Sequence, residues 1–472
     1  MKRRTFIQNT GMATAGLFFN RVAGFAAPFG FPDVRTPLNK RRFNSKAVES
    51  TIATFKAGVK NPELGWLFEN CFPNTLDTTV FHEMNNGMPD TYVITGDIDA
   101  MWLRDSSAQV WPYLQLVNKD KPLQDLIAGV IYRQTKCILK DPYANAFYKD
   151  ENKKSEWARD HTDMKPGVHE RKWEIDSLCY PIRLGYNYWK VTGDTKPFGA
   201  DWKRGIESTY QVFREQQRKE NPGPYRFQRT TSTATDTQPM NGYGYPVKPL
   251  GLISSMFRPS DDATLFSFLI PSNFFAVVSL RQAAEMVTFI SKDNLLAEKL
   301  RNLAAEVEKA LHEHAIIDTK QFGRVYAYEV NGFGSYNLMD DANVPSLLSL
   351  PYLGAIKDSD PVYRSTRKLI LSNQNPFFFK GKAAEGIGGP HVGIDMIWPI
   401  AITMRGLTSL NDKEIAECIE LLRKTHSNTG FMHESFHKDD PLKFTRKWFA
   451  WANTLFGEFL WKTFQHKKHL LR

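Results

Sequence analysis

Residues 293–315 read DNLLAEKLRNLAAEVEKALHEHA. Leu296, Leu300, Leu303, Val307 and Leu311 recur at intervals of three and four, which puts them on one face of a helix. Glu298, Lys299, Arg301, Glu306 and Lys309 fall largely off that face. A stripe of this kind must be buried against another element. Less regular versions of the same period run through residues 105–118, 122–139, 175–192, 199–219, 271–290, 391–406, 411–425 and 446–466. Short connections rich in Gly, Pro, Asn and Asp separate them. Alternating strand patterns are few; Thr91–Thr95 and Arg324–Tyr328 are the candidates, each too short to anchor a large sheet. No Pro-, Ser- or Gly-rich linker divides the chain and no clean repeat appears. Many helices without a boundary predict one all-α toroid, in which inner and outer helices pair as in an (α/α)6 barrel.

The N-terminus has a different character. Lys2-Arg3-Arg4-Thr5-Phe6-Ile7 precedes a weakly apolar run, Gly11–Phe19, and small residues at Ala23, Gly24, Ala26 and Ala27. This order is that of a secretory signal, and the Arg pair resembles a twin-arginine export motif. The run is about half of the roughly 20 residues a membrane span needs, and no later stretch reads as a span. Residues 1–27 are therefore expected to be removed, leaving a soluble catalytic domain over 28–472 in the periplasm or otherwise exported. The net charge of +10 shrinks accordingly: less Lys2, Arg3, Arg4 and Arg21, it is +6. The remaining cations form no basic stripe or binding module, so a nucleic-acid partner is not expected. Cys71, Cys137, Cys179 and Cys418 lie far apart and make no C-x-x-C motif; in an oxidising compartment one or two disulfides are open to them.

Three segments concentrate acids, aromatics and small residues. In GDIDAMWLRDSS (96–107), Arg104 donates and Asp105 accepts hydrogen bonds, a pairing that suits neighbouring sugar hydroxyls. Trp102 offers an apolar face to the C–H side of a ring; the alternative is an ordinary ion pair near a core tryptophan. In RPSDDA (258–263), Asp261 and Asp262 follow Arg258. An Asp there is ordinarily a helix cap, but adjacent buried carboxyls raise each other's proton affinity, as a general acid requires. In MHESF (432–436), Glu434 can act as a general base that orients water, with His433 on a hydroxyl. His433-Glu434-Ser435-Phe436-His437 also satisfies H-E-x-x-H, the zinc-protease pattern. That chemistry needs both histidines on one helical face, and Gly430 together with Lys438-Asp439-Asp440-Pro441 argues against a helix here.

Taken together the segments resemble glycoside hydrolase family 125, the exo-acting α-mannosidases. The matching stretches are GDIDAMWLRDSS, KWEIDSLCYPIRLGY, FRPSDDA with FLIPSNFFA, GGPHVGIDMIWPI and HESFHKDDPLKFTRKWFAWANTLFGE, in order across nearly the whole mature chain. The resemblance implies an (α/α)6 barrel, no metal or other cofactor, and inverting hydrolysis of non-reducing α-1,6-linked mannose from a mannose-containing glycan. It also implies that an Asp of the RPSDD stretch, Asp261 in preference to Asp262, is the general acid and Glu434 the general base. Trp102, Arg104 and Asp105 would shape the sugar subsite, with Arg258, Asp262, His391, His433 and Trp451 beside it and Glu174 at the next sugar. Two alternatives stand next to this reading. One is another hydrolase of the same barrel, glucoamylase-like or trehalase-like, which would share the Arg–Asp clamp. The other is a periplasmic glycan-binding protein without catalysis, which would keep the clamp but need no opposed carboxylates.

Overall fold

The computed structural model describes residues 30–471, so the leader expected at 1–27 lies outside the described residues. Helices of eight or more residues run in the order α1 (Lys46–Gly58), α2 (Pro62–Cys71), α3 (Leu103–Val110), α4 (Lys121–Lys140), α5 (Ile175–Thr192), α6 (Ala200–Gln216), α7 (Ile270–Met286), α8 (Asn294–His314), α9 (Pro361–Ile370), α10 (Pro399–Leu407), α11 (Asp412–Thr425) and α12 (Ala450–His466). Residues 293–315 form α8 and the residues that flank it. The Asp293 side chain caps it by accepting from Leu296 N, and all five stripe residues are buried.

Apart from α6, which follows Gly199 without a side-chain cap, the helices divide into two kinds by how they begin. α1, α2, α4, α8, α9 and α11 start on side-chain caps from Ser45, Asn61, Asp120, Asp293, Asp360 and Asn411. Such caps satisfy amides that would otherwise face water. α3, α5, α7, α10 and α12 start without any side-chain cap, after Trp102, Glu174, Leu269, Trp398 and Phe449. Distant segments serve their ends instead: Leu103 N donates to Asn145 O, Ile175 N to Ser255 Oγ and Ile270 N to Tyr328 O. These five are the inner helices. Every residue from Ile175 to Gly185 and from Ala450 to Leu460 is buried, whereas α8 buries one stripe. α12 packs on α3, α3 on α5, α5 on α7, and α10 on α12. Outer helices back them, α8 behind α7, α11 behind α10, and α2 behind α12. The segment between α8 and α9 is bonded to two inner helices, α5 by Tyr180 Oη to Val344 O at 2.9 Å and α12 by Tyr352 Oη to Glu458 Oε2 at 2.9 Å. Buried apolar residues from Val48 to Leu471 form one large core, beside which Ala100, Trp102, Ala146 and Tyr148 make a small second cluster.

Several expectations need correction. The protein is predominantly helical but not all-α, because two- and three-stranded antiparallel sheets recur along it. Three two-residue strands, Met101–Trp102, Phe268–Leu269 and Met396–Ile397, immediately precede inner helices; strands so short show no alternation. The hairpin Val80–Asn85 with Met88–Val93 contains most of the first strand candidate, and Gly323–Tyr326 most of the second. The helix expected over 105–118 is α-helical only to Val110 and then 3₁₀, since Pro112 lacks an amide hydrogen for the ladder. The one expected from 391 begins at Pro399, where proline fits the first turn. α1, α2 and α9 were not read, although Asn61-Pro62 and Asp360-Pro361 carry a cap followed by proline. All four cysteines are free and buried, so no disulfide forms; burial pushes the Cys137 and Cys418 thiols up to about 12. Ile270–Ser291 does prove long and apolar enough to cross a membrane, contrary to expectation, yet 56% of its most apolar 18-residue window is buried inside the fold.

Leu300 is fully buried in α8 against α7. Leu300→Ala is expected to cost about 2–5 kcal/mol, measured as a lowered urea midpoint at unchanged slope.

Candidate active site

The inner helix starts carry the chemistry. Arg104, in the first turn of α3, is 3% exposed and reaches outward from its own helix. Its Nη1 donates to Glu174 Oε2 at 2.6 Å and Asp176 Oδ2 at 3.1 Å, and its Nη2 to Asp261 Oδ1 at 3.1 Å. Its Nε lies 3.5 Å from Asp105 Oδ2. Four carboxyls from three parts of the chain thus surround one guanidinium. Burial pushes Asp105 up to about 6 against the pull of Arg104, and lifts Asp176 as well.

Asp261 is not a helix cap. Arg258 to Ala263 forms a tight turn in which Asp261 N donates to Arg258 O, Arg258 N donates to Asp262 O, and Phe257 bridges Ala263; the next helix starts only at Ile270. Asp261 has φ of 65°, a left-handed conformation that Asp tolerates better than most residues. Its carbonyl accepts from Lys172 Nζ at 2.8 Å, which fixes the turn while Arg104 holds the side chain. The two adjacent aspartates separate at this turn. Asp262 has its Oδ2 3.8 Å from His391 Nδ1, and although burial opposes it, that histidine holds its carboxyl below the usual range. The His391 imidazole is raised in return: burial works against it, but Asp262, then Glu434 and Asp261, favour its proton. His391 therefore lies within electrostatic reach of both carboxylates expected to do chemistry.

Glu434 joins them through His391, whose proton it also favours. Thr445 Oγ1 donates to its Oε2 at 3.0 Å and Arg446 Nη1 to its Oε1 at 3.3 Å, with 13% of its side chain exposed. Residues 436–437 are a strand paired with Met396–Ile397, so His433 and His437 do not share a helical face and the zinc-protease geometry is not met. Trp451, in the first turn of α12, sets its ring at 6.3 Å from Tyr180 and 6.5 Å from Phe449; Trp398 stands 6.3 Å from Phe449 and 6.2 Å from His391. These rings make an aromatic wall.

Some expected residues are brought together and others stand behind. Arg104, Asp105, Asp261, Asp262, His391 and Glu434 converge. Trp102 is 2% exposed, its indole edge-on to His169 at 5.1 Å behind the arginine. Glu174 is fully buried under Arg104 rather than open at a neighbouring sugar. Arg258 turns away: its Nε donates to Glu329 Oε1 at 2.7 Å and its guanidinium lies over Tyr328, so it braces the turn. His433 stacks on Phe444 at 3.9 Å, and its Nδ1 is 3.1 Å from Arg446 O. Lys172, Asp176, Trp398, Thr445 and Arg446 were missed, although all lie inside the quoted stretches. For Lys172, Asp176 and Arg446 the signal was a charge set among aromatic and apolar residues; Trp398 and Thr445 carried none.

The fold has wide company. A bacterial glucoamylase in complex with acarbose superposes with a TM-score of 0.54 at 13% identity, over 88% of this chain and 58% of that one, a likeness of fold alone. A Streptococcus pneumoniae protein, described as a metal-independent α-mannosidase and solved as a non-productive complex with α-1,6-mannobiose, is far closer. It matches with a TM-score of 0.86 at 40% identity, over 90% of this chain and 100% of that one. The Meiotically up-regulated gene 157 protein of Schizosaccharomyces pombe is 42% identical over 463 residues, 94% of this chain and 91% of that protein. Helical folds with carboxylates gathered at the inner helix starts are scaffolds for glycoside hydrolysis, and this chain is a glycoside hydrolase. Residues 61–461 match the metal-independent α-mannosidases of glycoside hydrolase family 125, and the chain belongs to that family.

His433 supplies a pH test. If Nδ1 donates to the Arg446 carbonyl, a second proton falls on Nε2, which is buried without a partner; burial accordingly depresses the imidazole to about 4. A depressed histidine contributes stability fully above its ordinary value near 6.5 and loses it as pH falls through about 4. Replacing His433 by Gln, which cannot take up that proton, should flatten the dependence of melting temperature on pH within this window.

Proposed function

We propose that the chain is an exo-acting, inverting α-mannosidase that removes terminal non-reducing α-1,6-linked mannose, with Asp261 as general acid and Glu434 as general base. The observation that carries this reading is that Asp261 and Glu434 both act on His391. Asp261 is held by Arg104, and Glu434 by Thr445 and Arg446. Inversion needs opposed carboxyls: the acid protonates the leaving oxygen while the base activates water on the other face of the ring. Their separation should be roughly 6.5–9.5 Å, against about 5–5.5 Å for a retaining enzyme. Asp262 suits the acid role less well, because its bond with His391 favours the ionised form.

The linkage rests on the α-1,6-mannobiose bound by the Streptococcus pneumoniae relative. The five inner helices fit a closed (α/α)6 barrel with the segment between α8 and α9 in the sixth place, forming one catalytic domain whose pocket admits a chain end. Export through the twin-arginine route is part of the same proposal and rests on Arg3-Arg4 and the short apolar run after it. Lysine at both positions should leave the precursor inside the cell.

Proton NMR of the mature protein acting on α-1,6-mannobiose, with a chelator present, should show β-mannose as the first product. α-Mannose first would overturn inversion, and cleavage of α-glucosides instead would favour the glucoamylase-like alternative. Asp261→Asn and Glu434→Gln should each lower kcat/KM by about 10²–10⁴ while disaccharide binding persists.

A further inference from the structure

Glu174 opens α5 with both carboxyl oxygens buried, yet the groups around them are unequal. Oε2 accepts from Arg104 Nη1 at 2.6 Å and from Ser177 Oγ at 3.0 Å, while Oε1 receives no N–H or O–H. The same carboxyl meets that of Asp261 within hydrogen-bond range. Two carboxylates cannot hydrogen-bond to one another, so one must hold a proton. Arg104 is the cation between four acids, Asp105, Glu174, Asp176 and Asp261, and cannot neutralise them all. Glu174 is fully buried and interacts directly with Asp261. Burial, with Asp261 and Asp176 beside it, lifts its carboxyl well above the usual range despite Arg104.

Resting on the reading of Asp261 as general acid, we propose that Glu174 is a positioning residue that keeps a proton on Oε1 and donates it in a hydrogen bond to Asp261. In the glycosidic step the Asp261 O–H bond breaks, an O–H bond forms on the leaving oxygen, and the C1–O bond breaks. Glu174 keeps its own proton throughout. The negative charge left on Asp261 is then met by Arg104 Nη2 on one side and by the Glu174 hydroxyl on the other. Such donors, fixed before charge develops, stabilise a transition state without reorganisation. Glu174 thus acts through the acid and does not reach the next sugar.

Other charges also face this pair. Asp105 and Arg104 come from α3, Asp176 from α5 and Lys172 from the segment before it. Asp262, His391, Glu434 and Arg446 come from the surrounding loops, and Tyr225 from behind Glu174. Changing Glu174 alone keeps them constant.

Glutamine copies a protonated glutamate, its oxygen towards Arg104 and Ser177 and its amide towards Asp261. Glu174→Gln is therefore expected to fold and to stay within about tenfold of wild type in kcat/KM on α-1,6-mannobiose. Glu174→Ala should lose about a hundredfold, and the basic limb of its kcat/KM–pH profile should move to higher pH, because a donor to the Asp261 carboxylate is gone. Movement to lower pH would mean that a negative charge had been removed, and would overturn the proposal, as would failure of Glu174→Gln to fold. Difference infrared spectra of wild type against Glu174→Gln at neutral pH give a readout without turnover: a protonated carboxyl band is expected, and carboxylate bands alone would refute it. Asp261→Asn tests the underlying reading separately. An aryl α-mannoside with a good leaving group should be cleaved far better than the disaccharide, and equal losses on both would remove Asp261 as the acid whatever Glu174 holds.

Discussion

A single guanidinium organises the catalytic end of this molecule. Arg104 belongs to α3, Glu174 and Asp176 to the start of α5, and Asp261 to the turn that leads into α7. Three inner helices therefore meet through one side chain. Placing a charge where almost no water reaches is costly unless it is paired and its donors are used. Arg104 is paired, and two of its nitrogens donate into carboxyl oxygens at 2.6–3.1 Å. The planar fork suits this better than a lysine ammonium would, because its directions are fixed before the carboxyls arrive. Removing it would strand buried acids with no cation among them.

The same logic continues behind the site. Lys172 Nζ bonds the Asp261 carbonyl and also Asp236 Oδ1 at 2.7 Å; Arg229 in turn reaches Asp236, Asp160 and Glu170. The turn carrying Asp261 is thus fixed through its backbone by a second ionic chain, independent of the first. This matters for the acid role proposed for Asp261, since the contribution of such a group depends on position to within about an ångström. Glu434 is held differently, by Thr445 and Arg446 from the neighbouring strand edge. The two side chains are similarly exposed, Asp261 at 12% and Glu434 at 13%, so what distinguishes them is the set of charges around each rather than burial.

What could be read along the chain followed burial geometry. Outer helices such as α8 and α11 face solvent on one side, so their apolar residues recur at three and four and their caps are Asp or Asn. Inner helices are buried all round, which erases the stripe: α7 opens as IPSNFFAVV and α12 as AWANTLFG, apolar or small throughout. Their starts were blurred because Trp398 and Phe449 are not capping residues; distant chain takes that role. The two-residue strands were invisible for a related reason, since a strand that short is defined by its partner across the sheet.

The sequence by itself determined that the chain is mostly helical, that its acids and aromatics cluster in a few segments, and which residues those segments contain. It also carried the family, because several long segments agree in order. Only the tertiary structure decided what each acid faces. Asp261 and Asp262 are neighbours in sequence, yet the turn sends one to Arg104 and the other to His391. Glu174, expected at a sugar, lies wholly beneath the arginine, and Arg258 and His433 turn into packing. The physical reason is that a carboxyl's proton affinity is set by burial and by charges within a few ångströms. Here those charges come from distant parts of the chain, as Arg104 does for Asp261, 157 positions away.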